Sequence, residues 1–321
     1  MKGNIFIVII ILSISSLYSQ RPIGTTWNHH VHLFSKSLLD ELKKEKQGIE
    51  LFKGSNEQYC DIDTIMSKVK SDKILLISTG YGFSKEENNN RELKDLLQQE
   101  NDFLFNAYSK YESRIFPFIG IDPTESYSLE EIRRCHTKFD KYGIKLHFHS
   151  SKVELLDTVE VKIMKPLFDF ARVVNIPLLI HFKNHESDFG KRQIESFFQN
   201  YTNKNSPLTI IFAHTGGDGL INEKTKEIVK EILTQNQKYN QNIYFEISSA
   251  IWHSYVKQYE ISDVEKYELL KEIGFDKIIY GTDYPARAFD SFTAQLKYRL
   301  NLTDKELDMI KKNSPLNEYL R

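Results

Sequence analysis

Histidine and aspartate side chains occur in this sequence with a spacing that suits a metal-binding enzyme. His30 and His32 are separated by one residue, and His181, His214 and Asp283 each lie at the end of a separate apolar run. Imidazole nitrogens and a carboxylate oxygen are ligands that zinc and similar divalent ions accept. Burying such a set without a cation would be costly, because each polar group would lose its hydration. The residue types therefore predict a divalent metal site, provided that the fold brings these positions together.

Eight short apolar runs, rich in β-forming residues, predict the strands that carry these positions. The runs begin roughly 30 to 50 residues apart, close to the spacing of a barrel built from eight strand–helix units. They span 24–34, 73–80, 114–123, 143–150, 176–183, 208–217, 242–250 and 277–286. Strands that alternate with helices run parallel. We predict a fold of the α/β class, a single-domain (β/α)8 TIM barrel over residues 20–321.

Capping motifs predict helices between and after the strands. Ser128, Ser262 and Thr303 are each followed three residues later by a glutamate, the pattern of a capping box. The segment 35–46 adds length after the first strand and is expected to form a lid or a pocket wall. The alternative fold, an open doubly wound sheet, would usually carry a glycine-rich phosphate turn after an early strand. Here the first strand ends in histidines instead.

The reactive side chains of a (β/α)8 barrel sit at the carboxyl ends of its strands. Because side chains alternate along a strand, His30 and His32 share one face of the first strand. On the fourth strand, Lys145 and His147 likewise share one face, opposite an apolar set that suits the helix layer. The polar sets are therefore expected to point into the barrel.

The composition excludes several classes of protein. The chain has 321 residues, of which 27% are charged and 40% hydrophobic, as in ordinary soluble globular proteins. It has 43 Lys and Arg residues against 44 Asp and Glu residues, a net charge of −1. Such a chain provides no basic field for a phosphate backbone, so nucleic acid is not an expected partner.

The N-terminal residues predict a secretory signal peptide. Lys2 precedes the apolar run 5–14, which is shorter than the roughly 20 residues that a spanning helix needs. We expect cleavage after Ser19, export to the periplasm or the medium, and no stable membrane insertion afterwards. An uncleaved membrane anchor is the alternative. Cys60 and Cys135 are the only cysteines, and they are expected to be small buried residues rather than a disulfide.

Together the motifs resemble those of the amidohydrolase superfamily, in particular its amidohydrolase-related branch, which also contains decarboxylases. The matching positions are His30-Val-His32, Gly143-Ile-Lys-Leu-His147, His181, His214, Gly281-Thr-Asp-Tyr-Pro285 and the terminal segment 310–320. The sequence departs from the family pattern at Asn28, where an aspartate is common. An aspartate there would support a ligand histidine more strongly than an asparagine.

The resemblance implies a role for each matched residue. His30, His32, His181 and Asp283 would bind the metal ion, and His214 would lie beside a metal-bound water. Such an ion lowers the pKa of bound water toward about 7 and polarises a carbonyl group. Asp283 would then pass a proton to the leaving group, while His214 would orient the water or stabilise an oxyanion. Asp283 and His214 are thus the expected catalytic residues.

Lys145 leaves the number of metal ions open. In other branches of the superfamily a fourth-strand lysine is carbamylated and bridges two ions. In the branch resembled here one ion is usual, so we favour one, with zinc as the expected element and Lys145 facing an anionic substrate group. A structural ion pair of this lysine is a further alternative. His147, His253 and Arg287 are candidates for contact with the substrate or with a second ion.

Three functions fit these expectations. We favour an exported metal-dependent hydrolase that cleaves an amide, lactone or ester bond of a small molecule. The alternatives are a non-oxidative metal-dependent decarboxylase, which is a lyase, and a non-catalytic metal- or ligand-binding barrel. Lys145 and Arg287 could hold the carboxylate of either a decarboxylation or a hydrolysis substrate. The sequence is also compatible with a homo-oligomer.

Overall fold

The computed structural model of the protein describes residues 24–45, 57–83, 90–183, 189–217, 221–248, 261–286 and 289–320. Within them, eight parallel strands form one sheet in which each strand pairs with the next along the chain. The strands are β1 Trp27–Leu33, β2 Lys73–Ser78, β3 Ile115–Ile121, β4 Gly143–His147, β5 Leu178–His181, β6 Thr209–Phe212, β7 Asn242–Glu246 and β8 Ile278–Ile279. All eight predicted strands are present, and each is shorter than its apolar run.

Backbone hydrogen bonds between the first strand and the segment around the last strand close the sheet. The His29 N–H donates to the Tyr280 carbonyl at 2.8 Å, and the His32 N–H donates to the Tyr284 carbonyl at 2.8 Å. Val31 also forms a parallel bridge with Tyr284. The prediction of a (β/α)8 TIM barrel is therefore confirmed, and the open doubly wound alternative is wrong.

Helices surround the barrel and connect its strands. In chain order they are α1 Lys36–Glu45, α2 Ile62–Lys68, α3 Asn90–Lys110, α4 Ser128–Lys138, α5 Thr158–Val173, α6 Lys191–Tyr201, α7 Glu223–Tyr239, α8 Asp263–Ile273, α9 Phe289–Arg299 and α10 Asp304–Lys312. The capping boxes predicted at Ser262 and Thr303 are both formed. The box predicted at Ser128 is wrong. The helix begins one residue earlier, and the Ser128 hydroxyl donates to the Asp122 carbonyl while Glu131 is buried against Asn101 and Arg134.

Three apolar clusters are present among the described residues, and the two that contain strand residues lie on opposite faces of the sheet. The outer cluster packs alternate strand residues such as Ile74, Ile144 and Phe212 against the helices. The inner cluster fills the amino end of the barrel with residues such as Phe116 and Phe118. The other inner-cluster members are Trp27, Leu75, Ile77, Leu179, Ile211, Ala213, Ile279 and Leu316. Because the amino end is packed with apolar side chains, polar side chains that point into the barrel collect at the carboxyl end.

The structure tests some of the remaining predictions and leaves the signal peptide untested. The predicted signal peptide, residues 1–19, lies outside the described residues. The segment after the first strand forms α1, and its Leu42 lines the cavity described below, as a pocket wall would. Cys60 and Cys135 are not joined by a disulfide, as expected; Cys135 is buried, whereas Cys60 is only partly buried. Across the described residues, no helix combines the length and apolarity that crossing a membrane requires.

Candidate metal centre

A cavity of about 280 Å³ opens at the carboxyl ends of the strands. The polar side chains with metal-ligand or charged groups that line it are His30, His32, Lys145, His147, His181, His214 and Asp283. Aromatic and aliphatic side chains, including Phe34, Leu42, Tyr81 and Pro285, form the rest of its wall. A pocket with an apolar wall and a few convergent polar groups is the usual form of a small-molecule site.

A β-bulge in the first strand sets the direction of its histidines. The pairing of β1 with β2 shifts by one residue between Asn28 and Val31, so strict alternation does not hold along the whole strand. As a result, Trp27 at the start of the strand belongs to the inner cluster, yet His30 and His32 at its end also line the cavity. The bulge thus lets one strand contribute both to the barrel core and to the polar centre.

His30, His32 and Asp283 converge on one point. His30 Nε2 lies 3.1 Å from His32 Nε2, and Asp283 Oδ1 lies 3.4 Å from the first nitrogen and 3.2 Å from the second. Ligand atoms about 2.1 Å from one ion lie about 3.0 to 3.4 Å from one another in octahedral or tetrahedral coordination. The three side chains therefore fit a divalent metal ion without rearrangement.

His214 lies beside this group. One ligand atom each from His30, His214 and Asp283 fall within 4.8 Å of one another. The imidazole of His214 stacks on that of His30 with ring centroids 4.8 Å apart, and its centroid is 4.7 Å from that of His181. His181 in turn lies 4.0 Å from His147, ring to ring. The histidines of β1, β4, β5 and the β6 terminus thus form one continuous cluster.

Backbone strain occurs at the two residues that the sequence predicts to be catalytic. His214 and Thr215 have φ values of 52° and 59°, and Asp283 has a φ of 56°. The left-handed region is unusual for side chains other than glycine, and for a β-branched residue such as Thr215 it is a genuine outlier. Such conformations cost of order 1 to 3 kcal/mol each and are typical of functional sites. Here they turn the chain sharply at the ends of β6 and β8, where His214 and Asp283 meet the cavity.

Buried polar residues behind the cluster orient its imidazoles. His30 Nδ1 lies 2.7 Å from Glu246 Oε2, and His214 Nδ1 lies 2.8 Å from the Ser248 hydroxyl. His32 Nδ1 faces the Thr79 hydroxyl at 3.4 Å. Each of the three rings therefore has a partner for Nδ1. A metal-binding histidine commonly has such a partner on its other nitrogen.

Burial determines the charge state of the cluster. Burial lowers the pKa of His30, His147 and His214 well below the usual range for imidazole, so all three are neutral at neutral pH. Burial alone would raise the pKa of Asp283, but the surrounding imidazoles, above all His30, outweigh it and hold this pKa well below its usual range. Neutral imidazoles and an ionised carboxylate are the forms that bind a metal ion.

Lys145 is the buried cation of the cavity. Its side chain is fully buried, and its Nζ has no hydrogen-bond partner among the described residues. Burial lowers the pKa of Lys145 to about 8, while Asp283 and Glu246 act in the opposite direction. The structural ion pair that the sequence left open is not formed with any described residue.

The structure brings most of the predicted site residues together. His30, His32, Lys145, His147, His181, His214 and Asp283 all line the same cavity. His253 and Arg287 lie outside the described residues. Which of the clustered histidines bind the ion stays a prediction.

Sequence reasoning missed several residues that support the cluster. Glu246 received no role, although an acidic residue at the end of an apolar run was a usable signal. Ser248, Thr79 and Tyr81 carried no signal, because hydroxyl side chains after a strand are common in loops. Each acquires its contact only through the register of neighbouring strands.

Comparison with known proteins relates the chain to one family. The family model described as amidohydrolase matches residues 83–315. No protein in the search of curated sequences matches the chain.

Solved structures resemble this barrel over nearly its whole length. The 5-carboxyvanillate decarboxylase from Novosphingobium aromaticivorans, complexed with manganese and 4-hydroxy-3-methoxy-5-nitrobenzoic acid, gives a TM-score of 0.63 at 16% identity, covering 92% of this chain and 96% of that chain. A 2,6-dihydroxybenzoate decarboxylase complexed with 2,6-dihydroxybenzoate gives 0.60 at 13% identity, covering 93% and 100%. The 4-oxalomesaconate hydratase from Rhodopseudomonas palustris gives 0.56 at 14% identity, covering 92% and 95%. At these identities, what the chain shares with all three is the barrel fold.

Proposed function

Because the chain belongs to the amidohydrolase family, we propose that it is a metal-dependent enzyme whose reaction is the non-oxidative decarboxylation of a small aromatic carboxylate. This replaces hydrolysis, which the sequence favoured, as the first candidate. Two of the three similar structures described above are decarboxylases of hydroxylated aromatic acids, and the third is a hydratase.

The observation that carries the proposal is the buried ammonium group of Lys145. An unpaired buried cation is costly, and an anionic ligand would offset that cost. Lys145 lines the same cavity as Asp283 and His214, and no described residue hydrogen-bonds its Nζ. A substrate carboxylate held there would lie within the metal-binding cluster.

The wall of the cavity suits a flat, small substrate. The ring of Tyr81 stacks on that of His147 with centroids 5.0 Å apart, and the ring of Phe34 stacks on that of His32 at 5.9 Å. A volume of about 280 Å³ is near the lower end, about 300 Å³, of ordinary ligand pockets. Aromatic walls around so small a space favour a single substituted ring over a long or branched molecule.

The roles of the polar residues follow from their chemistry. His30, His32, His181 and Asp283 would hold the ion, which when bound supplies positive charge that orients and polarises the substrate. Loss of CO2 breaks a carbon–carbon bond and leaves its electron pair on the ring carbon, which must then take up a proton. Asp283 can accept a proton from a substrate hydroxyl group and return it to that carbon, so that protons and electrons balance.

Hydrolysis is the second candidate, and one observation favours it. The nearest ligand atoms of His214 and Asp283 lie within 4.8 Å of one another. That gap can be bridged by one water molecule that makes two ordinary hydrogen bonds. Such a water would have two proton acceptors beside it.

A substrate screen with two readouts tests the proposal. Hydroxylated benzoates should release CO2 in the presence of manganese or zinc, with one solvent deuterium incorporated at the vacated carbon in D2O. Lys145→Met should raise KM for these acids by at least tenfold, because it removes the cation but keeps most of the volume. Hydrolysis of amides, lactones or esters with incorporation of ¹⁸O from water, and no CO2 from any acid, would instead establish the second candidate.

A further inference from the structure

The Glu246 carboxylate joins two histidines that come from different strands. Its Oε2 lies 2.7 Å from His30 Nδ1 and 3.0 Å from the Ser248 hydroxyl oxygen. That same hydroxyl oxygen lies 2.8 Å from His214 Nδ1. All four side chains are buried, with Glu246 and Ser248 fully so. One carboxylate at the end of β7 therefore reaches both rings, His30 directly and His214 through a single serine.

Backbone groups fix the direction of these hydrogen bonds. The N–H of Ser248 donates to Glu246 Oε1 at 2.5 Å, and the N–H of His214 donates to Oε2 at 3.3 Å. Since an N–H group can only donate, both carboxylate oxygens act as acceptors. The Ser248 hydroxyl therefore donates a hydrogen bond to Glu246 Oε2. The hydroxyl oxygen of Ser248 then accepts a hydrogen bond from the Nδ1–H group of His214.

It follows that both neutral rings carry their proton on Nδ1. A neutral imidazole has one N–H and one bare nitrogen, so the Nε2 atoms of His30 and His214 hold lone pairs. For His30 this lone pair faces His32 Nε2 at 3.1 Å and Asp283 at 3.4 Å. The bare nitrogen is the one that binds a metal ion or accepts a proton.

We propose that Glu246 is the positioning residue of the metal centre, setting the tautomer of His30 directly and that of His214 through Ser248. This inference rests on the proposed metal site but not on the choice between decarboxylation and hydrolysis. It assigns a role to a residue that touches neither the ion nor the substrate. In this chain Glu246 supplies the support that an aspartate at position 28 was expected to give, because Asn28 hydrogen-bonds Thr282 and backbone N–H groups instead.

The segment that follows β8 leaves room for this carboxylate at a glycine. A Cβ atom at Gly281 would lie 2.2 Å from Glu246 Oε1 and 2.9 Å from His30 Cβ. Both distances are shorter than a van der Waals contact, so only glycine fits at position 281 beside Glu246 and His30. Gly281 therefore stands two residues before Asp283 for a steric reason, not a chemical one.

Imidazole ¹⁵N NMR of the metal-free, full-length protein tests the tautomers without metal or activity. In the wild type, His30 and His214 should both give the Nδ1–H pattern, with assignments from His30→Gln and His214→Gln. Ser248→Ala should shift His214 toward the Nε2–H form and leave His30 unchanged, and Glu246→Gln should shift His214 and disturb His30. Ser71→Ala, at another buried serine with no hydroxyl partner among the described residues, is the matched control. An Nε2–H pattern for both rings in the wild type would overturn the proposal.

Metal affinity provides the second readout. Glu246→Gln should weaken binding of manganese or zinc about 10- to 100-fold, the usual effect of losing a partner of a ligand histidine. Glu131→Gln removes another fully buried carboxylate, one bonded to Arg134 and Asn101, and should change the stability of the metal-free protein but not its metal affinity. If Glu246→Gln behaves like Glu131→Gln, Glu246 is only structural. A wild type that binds no metal but shows the Nδ1–H pattern would refute the metal site alone.

Discussion

Asn28 and Thr282 are joined by two hydrogen bonds across the seam that closes the barrel. Asn28 Nδ2 donates to the Thr282 hydroxyl at 2.8 Å, and the Thr282 N–H donates to Asn28 Oδ1 at 3.0 Å. Asn28 Oδ1 also accepts the N–H of His30 at 3.3 Å. Thr282 directly precedes Asp283, so this pair sets the position of the β1 histidines relative to the aspartate.

Asn28→Ala should destabilise the protein by about 1 to 3 kcal/mol, because it leaves the buried Thr282 N–H without a partner. Urea unfolding of the metal-free protein measures this loss. Asn28→Asp keeps the acceptor oxygen, so it should recover a large part of the stability even though it buries a charge. Equal stability of Asn28→Ala and the wild type would contradict the importance of the seam.

The protein should bind about one divalent ion per chain, because His30, His32 and Asp283 already have the separations of metal ligands. Elemental analysis after expression with manganese or zinc measures the content. Binding should also raise the thermal unfolding midpoint in a concentration-dependent way. Two ions per chain would favour the carbamylated Lys145 arrangement. No ion and no thermal shift would argue against the site.

Asp283→Asn should remove most turnover while the fold is retained, since it takes away both the anionic ligand and the proposed proton acceptor. The loss from the proton-transfer role alone is expected to be about 10²- to 10⁴-fold. His214→Asn should also slow turnover, with metal content largely kept if one ion is bound. Rates with the best substrate from the screen, set beside metal content and circular dichroism, separate these effects. Full activity of Asp283→Asn would show that the assigned mechanism is wrong.

Glu100 should make stability fall as the pH rises. Burial raises the pKa of Glu100 to about 7 from an ordinary value of 4.5, and one of its oxygens has no partner among the described residues. The folded state therefore binds the proton more tightly than the unfolded state, and stability is lost between these two values. Glu100→Gln should match the wild type near pH 4 and exceed it at pH 8 by up to about 3 kcal/mol. Unfolding at both pH values tests this, with the exposed Glu130→Gln as a control that should show no such difference.

Protein isolated from its native host should begin at Gln20, as the apolar run after Lys2 predicts. Intact-mass measurement of periplasmic and secreted fractions checks both the cleavage site and the location. Chains that keep Met1 would favour the uncleaved anchor.

The sequence by itself was enough to predict the fold and the histidines, lysine and aspartate that line the cavity. Apolar runs at a nearly regular interval require parallel strands with helices between them, and a closed barrel brings the strand ends to one rim. Hence His30, His181, His214 and Asp283, which are far apart in the chain, could be predicted to meet. Local patterns also predicted the helix starts at Ser262 and Thr303, because a capping box depends on only four neighbouring residues.

Only the tertiary structure decided how the site residues are supported. The bulge in β1, the left-handed backbone at His214 and the burial of Glu246 against His30 depend on strand register. No local pattern records that register, because contacts across the barrel join residues more than 200 positions apart, such as His30 and Glu246. At Ser128 the capping pattern is correct, but Glu131 is held by the more distant Asn101, and the Ser128 hydroxyl donates to the carbonyl of nearby Asp122 instead. Packing between distant segments overrides local preference wherever it offers a buried polar group a partner.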